Sequence, residues 1–239
     1  MKRLLITASL AAAGLLASAE PADSTAHGID EVVVTGTRNS TDIRHLPMTI
    51  SVVGRDKLTE KQRTNVLPTL SEQVPGLFVT ARSIAGYAVS DGRAGDISIR
   101  GLGSGAGRIM VLIDGHPQYQ GIFGHSISDS YQTLMAEQVE VLRGPASMLY
   151  GSNAMGGVIN IVTRKMPADG VKTDINIGAG SYGTFQSELT NRIRKGKFYS
   201  ILAGHYSRSD NHRRQMDFEQ YGGYLKLGYD ISQNWNVYA

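Results

Sequence analysis

Cysteine is missing from all 239 residues. That absence excludes a disulfide framework and thiolate metal sites. Long apolar runs are nearly missing too. The longest, over residues 4–17, falls short of the ~20 apolar residues that a transmembrane helix needs. Any passage through a bilayer would therefore use β strands. No charge sign dominates, since 24 Lys and Arg stand against 21 Asp and Glu. Two of those cations are Lys2 and Arg3, and no basic stripe follows, so nucleic-acid binding finds no support. What is plentiful is glycine, 28 residues of it, which suits turns and close backbone approach.

The N-terminus reads as an export signal. Lys2 and Arg3 precede the apolar run, and Ala17-Ser18-Ala19 has the small-x-small pattern of a cleavage site. Residues 1–19 are thus expected to be a signal peptide cleaved after Ala19. Residues 20–29 are small and polar, with the composition of a flexible tail. A β-prone hexamer follows: Asp30, Glu31, Val32, Val33, Val34 and Thr35. An apolar strand beside such a tail is either the first strand of a domain or an edge awaiting another chain.

From there the chain reads as short elements. Residues 49–53 predict a strand. Asp56 is placed to cap a helix over 57–64, and Asn65 to cap a second, where Leu67, Leu70 and Val74 share one face. Pro75-Gly76 stops that helix and residues 77–80 extend into a strand. Ile97 and Ile99 alternate with polar neighbours, residues 109–113 form a buried-type run closed by Asp114-Gly115, and residues 158–162 form another. Helical pieces are predicted near 131–136 and 145–149. The sum is a small mixed α/β domain. Two polar loops, 82–95 and 116–130, interrupt it. Loops on a rigid scaffold concentrate binding residues, which singles out Arg82, Tyr87, Tyr119, Gln120, Phe123 and His125.

Enzymatic motifs fail on context. Residues 101–106 match G-x-G-x-x-A, but the chain then enters a strand where a dinucleotide site requires a helix. No Walker lysine, no G-x-S-x-G elbow and no paired carboxylates occur. Asp114, His116 and His125 match no compact metal spacing, and Asp114 reads as a turn residue. Neither an enzyme nor a cofactor is expected.

Beyond residue 171 the texture changes. Ile175, Ile177 and Ala179 alternate with polar neighbours, as do Phe185, Leu189 and Ile193, and then Tyr221, Leu225, Leu227, Tyr229 and Ile231. The run 198–206 is apolar on both parities. Segments of about ten alternating residues fit transmembrane β strands. A β-sandwich gives similar alternation. Phe198 and Tyr206, like Tyr221 and Tyr229, lie eight residues apart, near the spacing of two aromatic girdles.

Several spaced motifs carry a family resemblance: DEVVVTGTR at 30–38, IRG at 99–101, VLIDG at 111–115 and VEVLRGPASMLYGSNAMGGVINIVTRK at 139–165. Together they resemble the plug domain of TonB-dependent outer-membrane receptors, with a layout similar to vitamin B12 and catecholate-siderophore receptors. The resemblance implies an α+β plug domain, a small mixed sheet with short helices, followed by the first antiparallel strands of an incomplete transmembrane β-barrel. It divides the chain into a signal peptide (1–19), a flexible segment with the TonB box (20–40), a plug (41–166) and about five barrel strands (167–239). Five strands cannot close a barrel, so a fragment of a larger receptor is expected. By the same resemblance residues 30–35 dock TonB and its inner-membrane energising complex, the two loops meet a ferric siderophore or cobalamin, and Arg100 and Arg143 face barrel carboxylates. Outer-membrane lipid would surround the wall. The competing reading is a soluble periplasmic binding or signalling module built from the plug alone.

Overall fold

The computed structural model describes residues 32–33, 41–42, 48–61, 63–81, 86–87, 96–102, 108–118, 127–232 and 235–239. The expected signal peptide lies outside them. A two-stranded ladder comes first, β1 (Val32–Val33) antiparallel to β2 (Thr41–Asp42).

The core sheet has five strands: β3 (Ile50–Gly54), β6 (Ile109–Ile113), β7 (His116–Pro117), β8 (Ala136–Arg143) and β9 (Gly157–Thr163). Their spatial order is β3-β8-β9-β6-β7, with β6 and β9 parallel and the other pairs antiparallel. Both faces are covered, which is why β6 reads as an unbroken apolar run and β9 as one interrupted at Asn160. On one face Val53, Val111, Val139, Val141, Ile159 and Ile161 pack with Leu58 of helix α1 (Arg55–Thr59). Leu67 and Leu70 of helix α2 (Leu67–Gln73) and Val74 at its end join them. So do the short strands β4 (Leu77–Val79) and β5 (Ile97–Ile99) through Leu77, Ile97 and Ile99. On the other face Met110, Leu112, Leu142 and Val158 meet Ala146 and Ala154, which flank helix α3 (Ser147–Tyr150).

Local chemistry explains the joins. Asp114 (φ 49°) and Gly115 (φ 84°) both take left-handed conformations, the backbone of a tight two-residue hairpin turn between β6 and β7. Gly157 has φ 151°, and a Cβ there would collide with the carbonyl oxygen of Leu142, so only glycine lets β9 start beside β8.

Two helical expectations need correction. The first helix occupies Arg55–Thr59 rather than 57–64, because β3 runs straight into it and Gly54 falls at the cap position. Asp56 lies inside the first turn, where its charge still suits the helix dipole. Residues 131–136 form no helix. A 3-10 turn covers Ser128–Ser130, and β8 begins at Ala136. Between them backbone groups bond to distant partners: Tyr131 O accepts from Val66 N, and Thr133 N donates to Thr64 O. Tertiary bonds thus take the groups a helical turn would use. Asn65 stands one residue before the cap position, which Val66 occupies, and its Oδ1 still accepts from Leu67 N at 2.8 Å.

The second large sheet is a meander of β10 (Gly170–Gly180), β11 (Thr184–Lys195), β12 (Phe198–Ser209), β13 (Phe218–Ser232) and β14 (Trp235–Tyr238), all antiparallel and in sequence order. Its faces are the reverse of a soluble sheet. Ile175, Ile177, Leu189, Leu202, Leu225 and Leu227 are exposed on the outer face. Glu188, Thr190, Arg192, Ser207 and Lys226 are buried on the inner one. The ambiguous β12 sorts the same way, with Phe198 and Leu202 outward and Tyr199, Ile201 and Ala203 inward. Cross-strand register sets Phe198 against Tyr229 and Tyr206 against Tyr221. Two aromatic rows therefore cross the sheet, about 19 Å apart along the bilayer normal for strands tilted ~45°. No helix among the described residues is long and apolar enough to cross a membrane, which leaves β strands unaddressed.

Candidate functional site

The inner face of the meander closes over the core sheet. Ala203 belongs to the same apolar cluster as Ile159 and Leu70, and Tyr224 packs against it. Around this apolar seat lie three polar contacts.

The first uses the β6–β7 turn. Asp114 Oδ2 accepts from Lys226 Nζ at 2.7 Å, and their side chains are 8% and 3% exposed. Asp114 is itself fixed by Thr163, whose N donates to Oδ1 at 2.8 Å and whose Oγ1 donates to Oδ2 at 2.5 Å. Tyr238 donates from its hydroxyl to Asp114 O at 2.9 Å. Lys226 also sits 4.2 Å from the centroid of the Tyr238 ring. A buried pair with this many supporting bonds is costly to break from one side. The second contact lies where β9 leads into the meander. Asp174 Oδ2 accepts from Arg164 Nη1 at 3.0 Å and from Arg192 Nη2 at 2.6 Å. In the third, Gln132 of the core domain hydrogen-bonds His205 of β12.

Beside that third contact opens a cleft of about 450 Å³, a ligand-sized volume. Its core side supplies Lys61, Arg63, Asn65, Tyr87, Asp129 and Gln132. Its wall side supplies Gln186, His205, Ser207, Phe218 and Gln220. The chemistry is amide-rich and largely charge-compensated, because Glu72 accepts from Lys61 at 2.7 Å and from Arg63 at 2.8 Å. Those two bonds, Lys61 first, hold the Glu72 carboxyl below its ordinary value. Burial, with Asp129 nearby, raises the Tyr87 phenol well above its ordinary value. Tyr87 is therefore a neutral hydroxyl on an aromatic wall. Among the described residues no cluster of His, Asp and Glu could hold a metal.

Of the expected ligand residues, Tyr87 lines this cleft. Arg82, Tyr119, Gln120, Phe123 and His125 lie outside the described residues, as do Asp30, Glu31, Val34 and Thr35. Val32 and Val33 form β1, already paired with β2. Arg100 is exposed at φ 52° with its N donating to Gly76 O, and Arg143 Nη1 donates to Pro75 O at 3.1 Å. The described wall strands place neither beside a carboxylate. The interface instead relies on Asp114, Lys226, Arg164, Asp174 and Arg192, which sequence reasoning left aside. A faint signal existed, since Lys226 and Arg192 are long cations on the polar parity of otherwise apolar strands.

Comparison with known proteins now has a geometry to meet. Residues 42–158 match the TonB-dependent Receptor Plug Domain. The chain belongs to the TonB-dependent receptor family. The core sheet is its plug and the meander lies where the family's barrel begins. An iron-regulated outer membrane virulence protein of Vibrio cholerae is 39% identical over 160 residues, covering 64% of this chain and 23% of the relative. The vitamin B12 transporter BtuB of Photobacterium profundum is 30% identical over 186 residues, 78% of this chain and 28% of the relative. The chain thus spans about a quarter of the length of these relatives. Among solved structures, the FpvA receptor of Pseudomonas aeruginosa superposes with a TM-score of 0.69 at 22% identity, over 87% of this chain and 26% of that one. FauA, the alcaligin receptor of Bordetella pertussis, gives 0.64 at 20% identity, over 87% and 34%. Such likeness shows the shared fold. The receptor's location is the outer membrane.

Proposed function

We propose that this chain supplies the plug and the first wall strands of an importer that TonB energises, carrying a ferric siderophore or cobalamin. The observation that carries this reading is the cleft of about 450 Å³ between plug and wall. It lies toward the end of the sheet where β12 and β13 are joined by the longer loop, 210–217. Short turns face the periplasm in such barrels and longer loops face outward, so the cleft opens toward arriving ligand. Relatives named for iron regulation and for vitamin B12 transport support these two ligand classes.

On this reading residues 1–19 direct export, 20–40 carry the TonB box, 41–166 form the plug and 167–239 start the wall of a longer barrel. Residues 30–35 dock TonB by strand addition. Their apolar strand already forms a ladder with Thr41–Asp42, and exchange of that partner for TonB would connect the plug to its motor. Arg82, Tyr87, Tyr119, Gln120, Phe123 and His125 contribute to ligand contact. Arg100 and Arg143 meet carboxylates on wall strands beyond those described.

Main-chain bonds dominate strand addition, so Val33→Pro, which removes a donor and fixes φ, is the informative change. In a receptor carrying this chain it should abolish energised uptake while ligand binding at the cell surface persists. Normal uptake by the Val33→Pro receptor would overturn the TonB-box assignment.

A further inference from the structure

The ladder between β3 and β8 ends at Gly54 and Gln138. The next residue, Arg55, carries the connection further with its side chain. Arg55 Nη1 lies 2.7 Å from Thr133 O, 2.8 Å from Ala136 O and 3.4 Å from Leu134 O. One guanidinium thus holds two carbonyls of a segment without helix or strand, at Thr133 and Leu134, and the carbonyl of Ala136, where β8 begins.

The same segment reaches the floor of the cleft through Gln132. Gln132 lines it and bonds His205 on the wall. Asn65, another lining residue, bridges to Gln132 and donates from Nδ2 to Ser128 O at 2.7 Å. Thr133 N donates to Thr64 O, and Thr64 also lines the cleft. Burial first, then Arg164, disfavours the charged guanidinium, and the Glu137 and Asp174 carboxylates favour it, so the carbonyl bonds act beside those charges in keeping it in place. On its other side Arg55 follows β3 without a break. β3 is an edge strand with one neighbour, β8, and leads back toward the N-terminus.

We propose that Arg55 is a positioning residue that couples the cleft floor at 131–136 to the edge strand β3. Disturbing the floor loosens β3 through Arg55, and withdrawing β3 removes the clamp from the floor. This goes beyond the import reading and rests on it only for its physiological use. The coupling itself belongs to the plug and is measurable without transport.

The contacts all come from Nη1, whose two hydrogens are held at fixed angles in the guanidinium plane, whereas a lysine ammonium is a point charge one bond nearer the backbone on a flexible stem. The test is hydrogen exchange resolved by segment on the full chain in outer-membrane preparations. Arg55→Met should raise exchange at least about tenfold in both 50–54 and 131–136, and Arg55→Lys should restore neither. Gln132→Ala disturbs the floor from the wall side. It should raise exchange in 50–54 when Arg55 is present and add nothing there in the Arg55→Met chain. That non-additivity is the signature of coupling. Additive effects, an unchanged floor in Arg55→Met, or full rescue by Arg55→Lys would each overturn the proposal. Val33→Pro should leave all these rates as they are, so failure of the TonB-box reading is read separately.

Discussion

The two large sheets of this receptor solve opposite problems with the same residues. In the plug sheet apolar side chains dominate both faces, and the few buried polar groups, such as Glu140 and Asn160, sit among them. In the wall, apolar side chains face outward and the buried face is mostly polar, with Tyr199, Ile201 and Ala203 as its apolar part. Ile177 is 68% exposed on the wall, whereas Ile161 is fully buried in the plug. One sheet hides from water on both sides. The other has lipid on one side and a polar seam on the other. The comparison teaches that the buried side of the wall admits charged residues such as Glu188, Arg192 and Lys226, so charge pairs join the apolar contact at Ala203 in settling where the plug sits.

The sharpest way to break the comparison is to remove a charge from the seam. Lys226→Met keeps length and apolar bulk but leaves the Asp114 carboxylate without its cation. Breaking a buried pair from one side costs about 3–5 kcal/mol, and the remaining Thr163 bonds place the expected loss at the lower end. Denaturant midpoints of the single variants and of Asp114→Asn/Lys226→Met measure it. The double variant should lose less than the two singles together. Strict additivity would mean the pair holds nothing.

A much smaller effect is expected at the cleft rim. Glu72, hydrogen-bonded to Lys61 and Arg63, titrates below its ordinary value of 4.5. A carboxyl with a lowered folded-state value contributes stability above the unfolded value and loses it as pH falls through the folded one. The group is exposed, so the contribution is slight. A side-chain NMR titration should place the Glu72 midpoint below 4.5 and move it upward in high salt. A midpoint at or above the ordinary value would remove Glu72 as the partner that neutralises the cleft cations.

Much of this architecture was legible from residues alone. The continuous run at 109–113 and the nearly continuous one at 158–162, broken at Asn160, marked strands buried on both faces, and the alternation from 175 onward marked a two-faced wall. Leu67, Leu70 and Val74 revealed the face of α2. What stayed hidden was everything decided by distant partners. Residues 131–136 look helical in isolation, yet their backbone bonds go to 64 and 66 and to the Arg55 side chain. Asp114 looks like a turn residue, which it is, and nothing local says that Lys226, 112 residues later, closes on it. Arg100 and Arg143 drew attention through their motifs, while the contacts in the described wall fall to Arg164 and Arg192.

The central claim is that neighbouring residues of β13 look into different media. These 239 residues contain no cysteine, so single cysteines at 225 and 226 are the only ones in the chain. In intact outer membranes a cysteine replacing Leu225 should react with a lipid-soluble maleimide and resist a charged one. A cysteine replacing Lys226 should resist both while the plug is seated. Equal and ready reaction of both positions with the charged reagent would show a wall in water, and would contradict the account.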